Sequence, residues 1–536
     1  MGIIIRKAIF VVTMLQIVCC ISGCSSRARG GTVRDLGTTI GSVVDVVYPE
    51  SITVEGIGLV GGLRGTGSQE CPPQIRSYLT QYIISQLPAD TMSKAESLIN
   101  STDTAVVLVE TVIPIQDAKS RYFDVRVTAL PGTQTTSLKS GWLYRSELKI
   151  TGSFGIATDI LADAEGPVFI DQTGTSGIDQ RTGYILAGGK NLTEQDIRLV
   201  FEKPDFKLAN IIRNRLNERF GRDIAKAVSS GRIELKVPDI YRGRRKRFIS
   251  LVRAMYLTET PEITLKRINH YAEELARTPE KEEGEIALEA IGNQSLVELA
   301  ALLKASDEHV RLRAARCIIN LGSNAGLPTL RQIALDRDSV YRLEALEAII
   351  TVARADEAAS VARKLLNDDD FEICLAAYEQ LRKLDDVSIN REAIGRNFYL
   401  EQVVRSEQKV IYAFRSGQPR IVLFGAPIYC NRGIFIKSPD GDITIDVPLD
   451  STNVSIIRTL PKRPGVIAQV ECSFELSDII RKLCMEPAIE GEKSRGGLGV
   501  SYADMIALLE QMCDKGAVNA EFRAGPMPKI GINIKK

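Results

Sequence analysis

A few groups of residues have types and spacings suited to chemistry. Gly56-Ile57-Gly58-Leu59-Val60-Gly61 has the G-x-G-x-x-G spacing with which a backbone approaches a dinucleotide pyrophosphate. That chemistry needs a strand before the first glycine, a helix opening at the third, and an acid ending a second strand about 20 residues on. Here Gly62, Gly65 and Gly67 interrupt any helix, and the stretch where the acid should fall reads as helix. The glycines are therefore read as backbone geometry, allowing positive φ and close packing in a tight strand-loop. Only two histidines occur, His270 and His309, which excludes multi-histidine metal chemistry and most Ser-His-Asp schemes. Both are expected to be structural or surface residues. Beyond residue 24 the cysteines are Cys71, Cys317, Cys374, Cys430, Cys472, Cys484 and Cys513. An odd, dispersed set is no disulfide framework, and without a C-x-x-C pair zinc and redox sites lack support. Most are expected to be buried as small apolar side chains; Cys430, Cys472, Cys484 and Cys513 could pair in an oxidising compartment. Cys430, Cys472 and Asp504 are available to an enzyme in residues 410–536, but no histidine lies there to activate a thiol. Asp368-Asp369-Asp370 reads as a helix N-cap cluster, because calcium needs more ligands at set spacing. No catalytic, cofactor-binding or metal-binding residue is expected.

Tyr241-Arg242-Gly243-Arg244-Arg245-Lys246-Arg247 is a basic run, read as a solvated junction or a contact with anionic cell-wall or membrane components. Nucleic acid is not an expected partner. The chain as a whole has 68 bases and 67 acids among 536 residues, with 44% apolar and 25% charged, so no global field points to a polyanion. The length suggests three or four domains of globular composition.

The amino end reads as a processing signal. Arg6-Lys7 precedes an apolar run from Ala8 to Ile21, shorter than the about 20 residues a membrane-spanning helix needs. Ile21-Ser22-Gly23-Cys24 then resembles a bacterial lipoprotein cleavage box, in which small residues admit the peptidase and the cysteine thiol carries the diacylglycerol. A leader cut elsewhere, or a short anchor, is the alternative. Ser25 and Ser26 follow, with no aspartate, which in lipoproteins permits sorting to the outer membrane. Cleavage before Cys24 would remove two bases and no acids, turning a formal net charge of +1 into −1. No second long apolar run follows, so a mature chain held by acyl chains alone is expected.

Elements follow from periodicity. Cys71–Leu87 reads as a helix with Ile75, Tyr78, Leu79, Ile83 and Leu87 on one face, opened by Pro72-Pro73. Ala105–Val109 reads as a buried strand, and Phe123, Val125 and Val127 alternate with polar residues as a half-exposed one. Residues 142–150 and 166–171 are further strands. Asp205 opens a helix with Phe206, Ala209, Ile212, Leu216 and Phe220 on its face and Gly221 at its end; Ile233, Leu235 and Val237 form a strand. From about residue 285 an internal repeat appears. Val310-Arg311-Leu312-Arg313-Ala314-Ala315 recurs as Val340–Ala345 and degenerately as Phe371–Ala376, at offsets of 30 and 31, with second helices at Leu296–Leu303, Leu327–Ile333 and Ala358–Leu366. Paired helices at this period resemble HEAT-like repeats, which stack because no single pair buries its own apolar face; an ordinary helical bundle is the alternative. Near the end, Ile434–Lys437 and Asp442–Val447 form a hairpin around Ser438-Pro439-Asp440-Gly441, helices cover Glu475–Leu483 and Tyr502–Met512, and a strand covers Val518–Phe522.

The stretch from Val54 to Gly67 resembles the leading motif of the bacterial flagellar P-ring protein family, of the form G-x-G-L-V-x-G-L-x-G-T-G. Five further segments resemble that family in order: Ala105–Val109 before Ile113-Pro114, Phe123–Leu130, Ser137–Leu143, Glu165–Val168, and Phe201–Phe206 through Asn217 to Phe220-Gly221. Together they cover roughly residues 33–240. The family's later V-V-I-N-x-R-T-G segment is not recognisable after residue 240.

The resemblance implies a structural protein, not an enzyme. It implies a homo-oligomeric ring acting as a bushing around the flagellar rod in the periplasm. The rod and the L-ring proteins would be its partners, peptidoglycan a neighbour, and the outer membrane its anchor through Cys24. A non-flagellar envelope lipoprotein scaffold that binds proteins through its helical repeats is the other function weighed. The expected fold is α+β and multidomain. It comprises a signal peptide at 1–23, a lipidated tether and first strand at 24–50, a mixed α/β ring domain at 51–240, and a basic helical connector at 241–284. An α-helical HEAT-like solenoid at 285–395 and a small α/β C-terminal domain at 396–536 complete it. Gly56, Gly58, Gly61, Gly62, Gly65 and Gly67 are expected to shape an assembly loop.

Overall fold

The computed structural model describes residues 36–48, 51–86, 92–113, 122–152, 159–173, 178–192, 197–460, 463–486 and 496–530. The expected leader, Cys24, Pro114 and most of the tether lie outside them.

Strand β1 (Val44–Val47) precedes β2 (Ile52–Gly61), helices α1 (Pro73–Gln86) and α2 (Met92–Ile99), and strands β3 (Thr104–Ile113), β4 (Tyr122–Ala129), β5 (Trp142–Ile150), β6 (Ala162–Pro167) and β7 (Thr182–Asn191). β2 to β7 close into an antiparallel barrel in the order β2-β3-β4-β7-β6-β5. Alternation explains it: Val125 and Val127 on β4, Leu143 and Leu148 on β5 and Val107 and Val109 on β3 all point into one core. β3 is apolar on both faces because α1 and α2 lie outside the barrel. There Leu79 and Ile99 pack with Ile57, Leu59 and Val106 in a second small core.

Strands β8 (Ile197–Phe201), β9 (Ala225–Ser229) and β10 (Arg232–Leu235) join β1 in a separate antiparallel sheet, ordered β1-β8-β10-β9. Helix α3 (Phe206–Phe220) covers it. The Asp205 carboxylate caps α3, accepting from the amides of Lys207 at 2.7 Å and Leu208 at 3.1 Å. Ala209, Ile212 and Leu216 are buried as the periodicity predicts, but Phe206 is 71% exposed. It is the first residue of the helix, on the turn capped by Asp205. Asn217 binds α3 to β9, donating to the Ala225 carbonyl at 3.0 Å and accepting from its amide at 2.8 Å.

Helices α4 (Arg245–Ala254) and α5 (Pro261–Arg277) lead into the paired helices α6 (Glu282–Ile291), α7 (Leu296–Leu302), α8 (Glu308–Asn320), α9 (Leu327–Leu335), α10 (Arg342–Val352), α11 (Ala355–Leu365) and α12 (Phe371–Lys383). Successive pairs share their cores, Leu312 and Leu330 with Ile349 and Ala362 for example, as stacked repeats must. Asp307 and Asp370 cap α8 and α12. Asp368 does something else: it forms a buried ion pair with Arg342, across the repeat boundary.

The last repeat is covered. A five-stranded mixed sheet packs Tyr412, Val422 and Phe424 against Phe371 and Tyr378 of α12. Its strands are β11 (Ile389–Ile394), β12 (Phe398–Val403), β13 (Val410–Ala413), β14 (Arg420–Phe424) and, at its far edge, Glu521–Ala524, which is β19 in chain order. An antiparallel meander follows: β15 (Ile434–Lys437), β16 (Ile443–Val447), β17 (Val454–Leu460) and β18 (Arg463–Cys472). Helices α13 (Leu476–Cys484) and α14 (Tyr502–Asp514) complete the region, which also packs on the barrel through Phe169 and Leu186. No helix among the described residues is long and apolar enough to cross a membrane.

Candidate functional site

The six glycines singled out in the sequence do not share one loop. Gly56, Gly58 and Gly61 lie within β2, whereas Gly62, Gly65 and Gly67 lie in the turn that follows. No helix opens at Gly61, since α1 begins at Pro73, so the dinucleotide geometry is absent here. β2 pairs with β3 along its whole length, from Ile52 opposite Ile113 to Gly61 opposite Thr104. Its pairing with β5 on the other edge shifts register between Glu55 and Val60. The glycines explain how the barrel closes at that irregular seam. A Cβ on Gly56 would stand 2.2 Å from the Glu147 carbonyl oxygen, and one on Gly58 would stand 2.4 Å from Ser146 Oγ. Past the strand the chain turns through Gly62 at φ +78°, Arg64 at +50° and Gly65 at +86°. Gly67 sits against the Thr104 carbonyl, 2.0 Å from where its Cβ would be. Thr66 locks this turn, its hydroxyl donating to Leu63 at 2.9 Å or to Ser137 at 2.8 Å.

The outer side of the same strand forms an apolar groove of about 330 Å³ with α1 and β5, lined by Ile57, Leu59, Leu79, Tyr82, Ile83 and Tyr144. The Tyr82 hydroxyl is buried there without a hydrogen-bond partner. Burial, and then the Glu147 charge, push its pKa up to about 12.

Among the described residues, the side chains singled out as candidates for catalysis are each engaged elsewhere. Burial pushes the thiols of Cys430 up to about 11 and of Cys472 and Cys513 up to about 12, and raises that of Cys484 well above its ordinary value, so none is a poised thiolate. All four are free thiols. His309 stacks on Tyr341 with ring centres 4.9 Å apart and accepts from Arg313 at 2.9 Å; His270 lies edge-on to Tyr271. Asp504 is turned to structural use: it accepts from Gln172 at 2.9 Å, pairs with Lys139 at 2.9 Å and binds the Ser501 hydroxyl.

One trio among the described residues, Glu285, Glu289 and Cys317, brings potential metal-donor atoms within 4.8 Å of one another. Guanidinium groups already occupy it. Glu285, fully buried, binds Arg247 at 2.7 Å, Arg313 at 2.9 Å and Arg316, while Arg247 also binds Glu289, and Asn320 donates to Glu289 at 3.0 Å. Burial alone would raise the Glu285 carboxyl; Arg247, Arg316 and Arg313 outweigh it and hold the pKa at about 2. Three cations around two carboxylates suit a strut, not a cation site. The same network corrects the reading of the basic run as a solvated junction. Arg247 is only 14% exposed, and Arg244 donates to Asn320 at 2.9 Å and lies over Tyr241, tying the α3 sheet to the repeats. No sequence pattern flags this, because its members are spread over some 75 residues.

The barrel, the second sheet and α4 to α5 coincide with a family match: residues 39–269 match the flagellar P-ring protein family. The chain carries a flagellar P-ring family domain. Residues 273–350 match HEAT repeats. The P-ring domain is 28% identical to the flagellar P-ring protein of Campylobacter lari over 236 residues, 42% of this chain and 64% of that protein. It is 30% identical to flagellar P-ring protein 1 of Photobacterium profundum over 217 residues, 37% of this chain and 54% of that one. With the flagellar P-ring protein of Thermotoga maritima the identity is 29% over 213 residues, 37% and 60% of the two. The chain thus spans a little over half the length of these relatives. Within the P-ring domain the segments resembling the family fall on β2 and its turn, β3, β4, the start of β5, β6, and α3 with Asn217. The match runs past residue 240 and includes Arg244 and Arg247, while their partners Glu285, Glu289 and Asn320 lie beyond it.

Proposed function

We propose that this chain is a structural component of the bacterial flagellar basal body, a P-ring-like subunit that assembles with copies of itself into a periplasmic ring around the rod. The observation that carries this is the family match over residues 39–269, which ends where the helical repeats begin. A bushing needs strong contacts between neighbours related by rotation and a bore of low adhesion, and it needs no nucleophile or metal. The rod and the L-ring proteins are the proposed partners, and peptidoglycan is a proposed neighbour. Lipid on Cys24 would hold the ring to the outer membrane, with Gly56, Gly58, Gly61, Gly62, Gly65 and Gly67 shaping the strand and turn used in assembly. Deleting the gene and imaging purified basal bodies tests the reading: loss of swimming and of a ring containing this chain is expected.

A second reading has its own support. The repeats at 273–350 and everything after them lie outside the P-ring match. A non-flagellar envelope scaffold would use them to bind another protein. Normal swimming in the deletion strain, with the chain absent from isolated basal bodies, selects that reading.

A further inference from the structure

Phe206 is the most exposed aromatic side chain among the described residues, at 71%. It belongs to the helix that buries Ala209, Ile212 and Leu216, yet nothing among the described residues covers it. Its backbone is held in place. Asp205 caps α3, and the Asp205 amide donates to the Ser230 carbonyl at 2.9 Å, pinning this turn to the one between β9 and β10. An apolar side chain on a fixed turn is a ready anchor, because little backbone ordering remains to be done on binding. Two lysines flank it. Lys203 and Lys207 are exposed, and neither ammonium has a carboxylate partner among the described residues.

The groove between α1 and β5 offers the matching hole. It holds about 330 Å³, and Ile57, Leu59, Leu79, Tyr82 and Ile83 form its apolar walls. The Tyr82 hydroxyl is buried there with no hydrogen-bond partner, an unfavourable state that a polar group on an incoming surface would relieve. The surrounding charge is negative. Arg145 is matched by Asp163 at 2.7 Å. Glu165, which lines the groove, and Glu147, whose charge acts on Tyr82, have no ion-pair partner among the described residues. An apolar hole beside unpaired carboxylates is complementary to an aromatic knob between unpaired lysines. The exposure of Phe206 shows that it does not occupy the groove of its own copy.

We propose that Phe206 of one copy seats in the groove between α1 and β5 of the next copy, with Lys203 and Lys207 facing Glu147 and Glu165. The knob stands on the second sheet and the hole on the barrel, so the contact is head-to-tail. A contact of that kind forms a ring when its rotation closes. The proposal rests on the reading of the chain as a ring subunit and names the surfaces through which neighbours meet.

Photocrosslinking of the full chain in its own cells tests this. The photoreactive residue p-benzoylphenylalanine replaces Phe206, an exposed position that tolerates the larger ring, and the irradiated product is mapped by mass spectrometry. A covalent dimer is expected, joined at Leu79, Tyr82, Ile83 or Tyr144 of the second copy. Lys203→Glu together with Lys207→Glu is expected to lower the dimer yield at least about fivefold, by placing like charges opposite one another, at an unchanged melting temperature of the purified chain. Adding Glu147→Lys and Glu165→Lys is expected to recover the yield. A crosslink to a different protein, to another surface of a second copy, or within one chain overturns the proposal. So does the absence of any crosslink, or a yield unmoved by the lysine reversals. The ring reading fails separately, by absence of the chain from isolated basal bodies; basal bodies that contain the chain but crosslink elsewhere sink the Phe206 contact alone.

Discussion

Gly56 has no side chain, and the carbonyl oxygen of Glu147 stands 2.2 Å from where a Cβ would be. A methyl group there must push β5 away from β2 at the seam that closes the barrel. Gly56→Ala is therefore expected to lower stability by about 3 kcal/mol, the upper end for overpacking. Gly62→Ala meets no atom within 4 Å and suffers only from φ +78°, about 1 kcal/mol. Denaturant unfolding of the two variants gives the order. Glu285 makes a different prediction. Its carboxyl sits at about 2 against 4.5 for a free glutamate, so its pairing stabilises fully above pH 4.5 and fades as the pH falls toward 2. Glu285→Gln leaves Arg247, Arg313 and Arg316 without their shared anion, an expected loss of about 3–5 kcal/mol at neutral pH. Measured against pH, the gap between this variant and the natural chain should narrow below pH 4.

At the scale of elements, local chemistry placed most boundaries. Asp205 was readable as a cap because a carboxylate before an apolar stripe satisfies amides two and three residues on, whatever the rest of the fold does. Asp205→Ala is expected to cost about 1 kcal/mol, seen as a lower unfolding midpoint with an unchanged slope. The repeats were readable for a related reason: an offset of about 30 residues places equivalent helices in equivalent cores, as Ala315 and Ala345 show. Phe206 was misread because periodicity records which side chains share a helix face, not whether another element covers the first turn of that face. The strand location of Gly56, Gly58 and Gly61 was hidden similarly. Glycine signals permissive backbone, and the same letter serves a turn or a place where two strands nearly touch.

For the whole molecule, the joints carry the argument. Arg415 pairs with Asp171 at 2.8 Å, the Gly417 amide donates to Asp124 at 2.9 Å, and Gln172 reaches Asp504 at 2.9 Å, so the barrel and the C-terminal sheets meet through polar contacts beside Phe169 and Leu186. Arg415→Ala is expected to raise hydrogen exchange along β13 and β14 while leaving the repeats unchanged, since local opening follows lost local contacts. Cys24→Ser tests the proposed lipid attachment: the expected outcome is a move from the membrane fraction to the soluble fraction, because the proposed acyl anchor would be lost.

The amino-acid sequence by itself determined the kinds of elements, their order, the helical repeat and the P-ring resemblance, because propensity, capping and apolar period act over a few residues. Only the tertiary structure decided which distant groups meet. Arg247 with Glu285, Lys139 with Asp504, and Arg415 with Asp171 are pairings between elements 38 to about 365 residues apart. Nothing in local spacing encodes them: they arise when separate apolar faces are buried together, and charged side chains at those seams must then find partners.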